Sequence, residues 1–541
     1  MRKRLIALLL LLAALLAALC GCTAERMQSV RELFGISEQA AEEDTPAEDE
    51  TAQPSAQTAP VSAAEDAQSA FGLGYQMQFG LHPYACTSLN NRAILSFLYE
   101  SLFVVDGSFR AQGVLAESWS VSDDGMTTTI TLRSGVKFHN GRTLRAQDAA
   151  YSLQSAAGSA YYGDRLRNVT SITASDTRTL VLTTLVSYEC LPLLLDIPII
   201  PENTADSAVP PGTGPYEYTS AARLSRFSDW WQDTALTDAP YITLHAAETS
   251  VDVRDQFEYA NVNLVLTDPN STAYASFHND YELWTANTTV MQYIGYNITN
   301  KVFSNYGLRS SITYAIDRET IVTELAGGFA LPATLPASPL AEQYDVRLAN
   351  SFDYSQSDFE AHLESASVED MDGDGVLDLY VASLGYAIPV EGTMIVCAGS
   401  YQRVQTAQRI VDALNSRGFK LTLQTLDEAE YRSALQNGNF DLYFGEVRLS
   451  ANFDLTPFFS IYGSLNFGGL ADSTMLNLCE LALTNNGNAY SLHKRVCERG
   501  YITPVLFKVD ALYTTRGMVA DPTQYLDWYI PPIASGEETE G

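Results

Sequence analysis

The chain has 541 residues, 46% of them hydrophobic, which is enough for one large or two medium globular cores. Its 65 acidic residues outnumber its 32 basic residues and give a formal net charge of -33. Because nucleic-acid binding depends on basic side chains that neutralise phosphates, this balance argues against a nucleic-acid partner.

The N-terminus has the layout of an export signal. A basic start, Arg2–Arg4, precedes an apolar run over Leu5–Leu19, which is shorter than the ~20 residues that span a bilayer. The end of this run resembles a bacterial lipobox, in which Cys22 becomes lipidated. We therefore interpret residues 1–21 as a lipoprotein signal peptide; the alternative is an ordinary cleaved signal.

Residues 22–70 are rich in Ala, Glu, Asp, Pro, Ser and Gln and contain almost no aromatic side chains. A segment of this composition cannot bury enough apolar surface to fold. Its like charges and prolines favour an extended chain. We predict a disordered acidic tether between a lipid anchor and a globular body.

The composition becomes that of a globular protein from Phe71 onward. Short strand-like runs, TTTITL and LVLTTL, lie in the first half, and KLTLQTL and FDLYFGEV lie in the second half. Helices are predicted over TAQRIVDALNSRG, which ends near Gly418, and over GLRSSITYAIDRETIVTELAGG, which ends at a Gly pair. Strands that alternate with helices predict an α/β fold.

The segment from Leu115 to Ala156 contains two turns and the start of a helix. Ser122–Gly125 (SDDG) is predicted to join two strands, and Lys137–Gly141 (KFHNG) to form a second turn. A helix is expected to begin near Asp148. These features describe a scaffold rather than a catalytic site.

The same segment, LAESWSVSDDGMTTTITLRSGVKFHNGRTLRAQDAAYSLQSA, resembles the hallmark segment of the family 5 extracellular solute-binding proteins, which serve ABC importers of peptides and nickel. Further matching pieces follow in order: PPGTGPYEY, YIGYNITNKVFSNYGLRSSITYAIDRETIV and ITPVLFK. The resemblance covers about Phe71 to Pro532. It implies an α/β, two-lobed periplasmic-binding-protein-like fold with an extra subdomain in lobe I (cluster C type).

This family architecture predicts the domain boundaries. Residues 71–267 are expected to form lobe I with its subdomain, residues 268–499 lobe II, and residues 500–541 the return to lobe I and a C-terminal tail. In such a fold the lobes close over a solute, so that function depends on a hinge equilibrium and not on bond making.

The resemblance also implies ligand contacts from both lobes. Lobe I is expected to use the segment HPYACTSLNNR, and lobe II the residues that follow FDLYFG. Peptide-binding members carry an aromatic residue and then an Asp after that strand, whereas this chain has EVRL. The predicted ligand-binding residues are Tyr84, Thr87, Ser88, Glu446, Arg448, Asn452 and Asp454.

Three of these residues have alternative roles. Glu446 and Arg448 are expected to bind a ligand amine and a ligand carboxylate, or to pair with each other. Asp454 is equally consistent with the N-cap of a helix that begins at Pro457. Trp230 and Trp231 are expected to pack in the protein and not on a ligand.

The segment EDMDGDGVLDLY has the acidic spacing of the first part of a calcium loop, with Asp370, Asp372, Asp374 and Asp378 as the candidate ligands. Val381 occupies the position where such a loop needs a bidentate Glu. An ordinary surface turn is therefore the alternative to a structural calcium site. No other cofactor is predicted.

Motifs of catalysis are missing from the sequence. The 6 His form no HExxH motif, the Cys form no CxxC pair, and no GxSxG or P-loop occurs. The sequence therefore favours a monomeric, lipid-anchored binding protein for a peptide or related small solute, working with ABC permease subunits. The alternatives are a sensor or adhesion lipoprotein of the same fold, and an exported hydrolase.

Overall fold

The computed structural model describes residues 71–519, except 233–236, 238, 271–276 and 485–487. The predicted signal peptide, Cys22 and the acidic tether lie outside the described residues. Within the described part of the chain, each helix is too short or too polar to cross a membrane.

The strands of the described chain have the following bounds: β1 (Phe71–Tyr75), β2 (Phe103–Val105), β3 (Ala111–Gly113), β4 (Ala116–Val121), β5 (Thr127–Leu132), β6 (Val169–Ala174), β7 (Thr179–Thr184), β8 (Tyr216–Ser220), β9 (Arg223–Arg226), β10 (Tyr241–Ala246), β11 (Leu264–Thr267), β12 (Tyr281–Tyr296), β13 (Ala330–Pro332), β14 (Val368–Glu369), β15 (Asp378–Val381), β16 (Tyr386–Pro389), β17 (Glu391–Cys397), β18 (Lys420–Leu426), β19 (Leu442–Arg448) and β20 (Ile502–Thr515).

The α-helices have these bounds: α1 (Leu89–Leu98), α2 (Ala146–Ala156), α3 (Ser250–Glu258), α4 (Tyr306–Ser311), α5 (Arg318–Leu325), α6 (Val346–Asn350), α7 (Gln356–Ser365), α8 (Tyr401–Asn415), α9 (Glu428–Asn437), α10 (Thr456–Phe459), α11 (Ser473–Thr484) and α12 (Ala489–Arg499). Short 3-10 helices cover Met77–Phe79, Gly163–Leu166, Leu191–Leu194 and Ile312–Ala315.

One sheet of 11 strands runs through the described chain in the order β18-β17-β19-β12-β20-β11-β1-β10-β9-β8, with β13 paired to β20. Lobe I consists of the end of this sheet that contains β1 and β8–β11, together with the separate antiparallel sheet β4-β5-β7-β6. Its β17–β19 end is lobe II. Each lobe has its own apolar core, one built mainly from residues before 267 and the other from residues between 294 and 506.

Two long strands connect the lobes. The first half of β12 pairs with the second half of β20, which in turn pairs with β11 of lobe I. The second half of β12 pairs with β19 of lobe II. The register between β12 and β20 shifts between Asn287 and Met291, and such a bulge bends a strand where it passes from one lobe to the other. The exact boundaries at 267/268 and 499/500 stay predictions.

The hallmark segment folds as its turn chemistry predicts. Ser122–Gly125 joins β4 to β5, and Gly125 has the positive φ of +70° that such a turn requires. The Asp148 carboxylate accepts a hydrogen bond from the backbone N–H of Arg145 and caps α2. The helix predicted before Gly418 is α8.

The prediction of one continuous helix from Gly307 to Gly328 is wrong. The chain forms α4, a 3-10 turn over Ile312–Ala315 and then α5. Asp317 starts the new helix because its side chain accepts a hydrogen bond from the Thr320 N–H. The break lets Arg318 turn into the core of lobe II.

Arg318 is 2% exposed and its guanidinium serves as a hub for backbone carbonyls. It donates to the carbonyl oxygens of Ala333 and Pro504 at 3.1 Å and to that of Thr313 at 3.1 Å. Burial lowers its pKa, and the charge is held by carbonyl dipoles and by Asp353 at 3.8 Å. The planar guanidinium of Arg318 thus links the segment between α4 and α5 to β20 by hydrogen bonds.

We predict that Arg318→Lys lowers the free energy of unfolding by about 3 kcal/mol, because one ammonium cannot reach this set of carbonyls and leaves several unsatisfied. Urea denaturation measures the loss. Arg409→Lys is the matched control, since Arg409 is 43% exposed in its pair with Glu324. Equal stability of the two variants would contradict the role of Arg318.

Glu100 is a second buried ionisable residue, in lobe I and 1% exposed. The indole N–H groups of Trp230 and Trp231 donate to its carboxylate at 3.3 and 2.9 Å, and the Gln232 amide donates at 3.0 Å. Burial nevertheless raises the pKa of Glu100 to about 7. Trp231 packs against the lobe I core.

The raised pKa makes stability depend on pH. Folded Glu100 keeps its proton up to about pH 7, whereas the unfolded chain loses it near its ordinary pKa, so that the Glu100 contribution is lost as pH rises between them. Between pH 5 and pH 7.5, the free energy of unfolding of the wild type should fall by about 2 kcal/mol relative to that of Glu100→Gln. Urea denaturation measures this difference. The exposed Glu117→Gln should follow the wild type; a Glu100→Gln profile parallel to the wild type refutes the assignment.

Candidate functional site

The carboxyl ends of strands from both lobes meet at the point where the lobes join. In lobe II, β17 is parallel to β18 and β19, and in lobe I, β1 is parallel to β10 and β11. In open α/β sheets ligands bind beyond the carboxyl ends of such strands. The residues that follow β11, β17 and β19 are therefore expected to line a ligand site.

Four charged side chains gather at this point, and we call them the crossover cluster: Asp268, Arg403, Glu446 and Lys508. Lys508 of β20 pairs with Asp268, directly after β11, and lies 3.7 Å from Glu446 at the end of β19. Arg403 in the first turn of α8 lies 3.8 Å from Glu446. The cluster thus links a lobe I strand end to a lobe II strand end through β20.

The cluster is largely shielded from water. The Lys508 side chain is 11% exposed and that of Glu446 is 22% exposed. Burial alone would raise the pKa of Glu446, but the Lys508 ammonium, the Gln292 amide at 2.9 Å and Arg403 outweigh it and hold this pKa below its ordinary value. Glu446 is therefore an anion in a setting of cations. It pairs with Lys508 and Arg403, and the roles predicted for Arg448 stay predictions.

A cavity of about 300 Å³ lies beside the cluster, and we call it the arginine pocket. Lobe I contributes Arg165 and Arg167, and lobe II contributes Arg448 from the end of β19. Tyr161 and Tyr188 complete the lobe I wall. Its volume is at the lower end of the range of small-molecule sites.

Ion pairs hold two of these guanidinium groups in place. Arg165 pairs with the buried Asp196 behind the wall. Arg167 pairs with Asp454 of lobe II, which also lines the pocket, so this pair joins the two lobes. Asp454 in addition accepts a hydrogen bond at 2.8 Å from the N–H of Thr456, the first residue of α10, whereas the N-cap position of this helix is Leu455. Contact of Asp454 with a ligand stays a prediction, and its place in the pocket lining is compatible with it.

The loop between β19 and α10 packs against lobe I. The Asn452 amide donates to the Tyr188 hydroxyl at 2.9 Å, and Asn452 is 7% exposed. Phe453 has a left-handed backbone, with a φ of +53°, and its ring packs between Phe109 of lobe I at 5.0 Å and Phe507 of β20 at 5.7 Å. A strained non-glycine backbone held by packing is common where lobes or ligands meet.

The three candidates from lobe I are not lining residues of this pocket. The Tyr84 hydroxyl donates to the Pro198 carbonyl at 2.8 Å, and Tyr84 is 8% exposed. Ser88 caps α1 by accepting from the Asn91 N–H at 3.2 Å. Thr87 is exposed. Ligand contact by Tyr84, Thr87 and Ser88 stays a prediction, in which Tyr84 and Ser88 would have to exchange existing bonds.

The acidic loop joins two antiparallel strands, β14 and β15, instead of two helices. Carboxylate oxygens of Asp370, Asp372 and Asp374 lie within 4.8 Å of one another, and all three residues are exposed. Asp370 accepts hydrogen bonds from Gly373 and Gly375 N–H groups, and Asp378 accepts one from Met371 N–H. These bonds already explain the residues as a turn, and calcium binding stays a prediction.

Sequence reasoning missed most of the cations of the site. Lys508 offered a signal, because it is the basic residue inside a mostly apolar strand, ITPVLFKVDALY. Arg165, Arg167 and Arg403 offered none, since their neighbours in the sequence are ordinary surface patterns. Each is assigned only by a partner far along the chain.

The chain is similar to a known protein family and to individual proteins within it. The model of the bacterial extracellular solute-binding proteins, family 5 Middle, matches residues 110–469. The glutathione-binding protein GsiB of Salmonella typhi is 28% identical over 293 residues, which are 51% of this chain and 56% of that protein. The chain thus matches little more than half the length of this relative.

Two solved structures share the fold. The oligopeptide-binding protein AppA of Bacillus subtilis, in complex with a nonapeptide, has 20% identity and a TM-score of 0.58, covering 83% of this chain and 94% of that one. NikZ of Campylobacter jejuni, in complex with Ni(L-His), has 16% identity and a TM-score of 0.60 over 83% and 94% of the chains. These likenesses confirm the predicted periplasmic-binding-protein-like fold class.

We predict that Lys508→Met destabilises the fold by about 3 kcal/mol at pH 7.5, because it leaves Asp268 and Glu446 as neighbouring carboxylates without their shared cation. The pKa of Glu446 should then rise, so the loss relative to the wild type shrinks as pH falls towards the ordinary Glu value and the proton is taken up. Thermal unfolding at pH 5 and pH 7.5 measures both effects.

Lys420→Met is the control for this variant, because the Lys420 side chain is 64% exposed in its pair with Glu391. It should change stability little at either pH. A Lys508→Met protein that is as stable as the control, or whose loss does not depend on pH, would contradict the described electrostatics of the cluster.

Proposed function

Because the chain belongs to the bacterial extracellular solute-binding proteins of family 5, we propose that it is an extracytoplasmic lipoprotein that delivers a peptide or peptide-like small solute to an ABC importer. The lobes close over the solute, and the closed form is what the permease subunits recognise. Lipidation at Cys22 would hold the protein at the membrane.

One observation carries this proposal: the arginine pocket has walls from both lobes. A solute bound there contacts Arg165 or Arg167 on one side and Arg448 on the other, so binding favours the arrangement in which the lobes are close. The connection through β12 and β20 leaves the lobes joined by two strands with a register shift, which suits a hinge.

The solute class follows from the charge of the cleft and from the relatives. GsiB is named for glutathione, and AppA was solved with a nonapeptide. Glu446 and Asp268 offer anionic partners for an amine, and the arginines offer partners for a carboxylate. A peptide carries both groups.

A hydrolytic role has less support from the site. Cys190 lines a cavity next to the lobe junction. Burial raises the pKa of its thiol to about 12, so that it stays protonated, whereas a nucleophilic cysteine acts as the thiolate. A binding role needs no such group.

The proposal predicts that a solute co-purifies with the protein. The full chain, purified in detergent without refolding, should show by native mass spectrometry a bound peptide or peptide-like molecule that is released on denaturation. The intact mass should also show cleavage before Cys22 and a lipid adduct. A chain that carries no solute, and that gains no thermal stability from peptide pools or glutathione, would refute delivery of peptides and favour a sensor or adhesion role.

A further inference from the structure

The cavity lined by Cys190 lies between the lobes, and we call it the tryptophan cavity. Its volume is about 420 Å³, within the range of small-molecule sites. Lobe I contributes Arg110, Trp119 and Glu189 to its lining, and lobe II contributes Glu342. Like the arginine pocket, the tryptophan cavity therefore has walls from both lobes.

The two cavities share one segment of lobe I. Tyr188 and Leu194 line the arginine pocket, whereas Glu189 and Leu193, which lie between them in the sequence, line the tryptophan cavity. Because consecutive residues are ~3.8 Å apart, cavities that share so short a segment adjoin one another. The tryptophan cavity is thus placed to receive a side chain of a solute that is bound in the same cleft.

The tryptophan cavity has one carboxylate more than its own cation neutralises. Arg110 and Glu342 form an ion pair across the lobes at 2.7 Å, so that their charges offset each other. Glu189 is exposed, and within the described part of the chain its carboxylate makes no ion pair and no hydrogen bond. A carboxylate without a partner on the wall of a cavity attracts a cation.

Trp119 adds an aromatic surface to the same cavity. It is 43% exposed, and its ring packs edge-on against the buried Phe103, with 5.0 Å between the ring centroids. This packing fixes the indole and leaves part of its surface in the cavity. The face of an indole attracts ammonium and guanidinium groups more strongly than other aromatic side chains do. A carboxylate and an indole that line one cavity are together suited to an organic cation.

We propose that the solute carries a cationic side chain, an ammonium or guanidinium group, that binds in the tryptophan cavity with Glu189 and Trp119. This inference rests on the proposed function and names the solute class for that cleft. The net charge of -33 favours such a solute, because a strongly acidic chain attracts cations from solution and repels anions. The bound cation offsets the charge of Glu189 and contacts the indole of Trp119.

Two tripeptides of equal length test the contribution of the charge. Ala-Lys-Ala has an ammonium at the end of its central side chain, whereas Ala-norleucine-Ala has a central side chain of similar shape without the ammonium. Isothermal titration calorimetry on the full chain compares their affinities. We expect Ala-Lys-Ala to bind at least ~10-fold more tightly, a preference that added salt reduces.

Variants of the cavity assign this preference to its residues. In Glu189→Gln, which keeps the size of the side chain, the preference should fall to about threefold or less, with the affinity for the norleucine peptide nearly unchanged. Glu117→Gln is the matched control, because it removes an equal charge from a lobe I residue that pairs with Arg178 outside the tryptophan cavity. It should keep the wild-type preference. Trp119→Leu should lower the preference, whereas a purely structural role of the indole would weaken both peptides alike.

The outcomes separate this inference from the proposed function. Equal binding of the two peptides, or an unchanged preference in Glu189→Gln, overturns the cationic solute and leaves peptide delivery standing. If neither peptide binds, the co-purified solute replaces them: a cationic solute that Glu189→Gln loses supports the inference, and a neutral or anionic solute, or one that this variant retains, overturns it. A chain that binds neither peptide and carries no solute overturns both proposals.

Discussion

The Lys508 ammonium, held between the carboxylates of Asp268 and Glu446, lies where the two lobes depend on each other. Asp268 follows the last lobe I strand before the crossing, and Glu446 lies near the carboxyl end of the lobe II strand β19. Lys508 belongs to β20, which runs through both lobes. Buried ion pairs add little net stability, since desolvation offsets most of their attraction. Separating such a pair leaves a buried charge without a partner, which is strongly unfavourable. The ion pairs therefore restrict the arrangements that the junction can adopt.

The candidate ligand site lies next to this junction. The carboxyl ends of strands β11 and β19 meet at the junction. The neighbouring cavity has one wall from each lobe. The Arg167–Asp454 pair and the loop around Asn452 already span the gap. A solute that adds contacts of the same kind to both walls shifts the equilibrium towards the closed form by its preference for that form.

Local chemistry allowed much of the fold to be predicted from the sequence. The SDDG turn, the Asp148 cap and α8 depend on neighbours within a few positions, and each formed as expected. The long helix through Ala315 was wrong because Asp317 caps a new helix and Arg318 finds carbonyls as distant as that of Pro504. The helix propensity of a sequence does not reflect such tertiary contacts.

The candidate site was only partly predictable for the same reason. Arg448 and Asp454 could be found because a family resemblance marks the segment after β19, and the structure places both at one cavity. Arg167 belongs to the site through a partner 287 positions away. Ser88 shows the opposite case, since a polar residue in a loop is recruited as a helix cap.

Single-molecule fluorescence energy transfer across the junction measures whether the lobes close over a solute. Labels at Asp123→Cys in lobe I and Glu430→Cys in lobe II occupy exposed positions. The native cysteines Cys86, Cys397, Cys479 and Cys497 are buried, and the partly buried Cys190 is replaced by Ser. If the lobes close over the solute, the distance between the labels is longer after the solute is removed and shorter when it is returned. A distance that stays the same while the solute binds would contradict closure of the lobes.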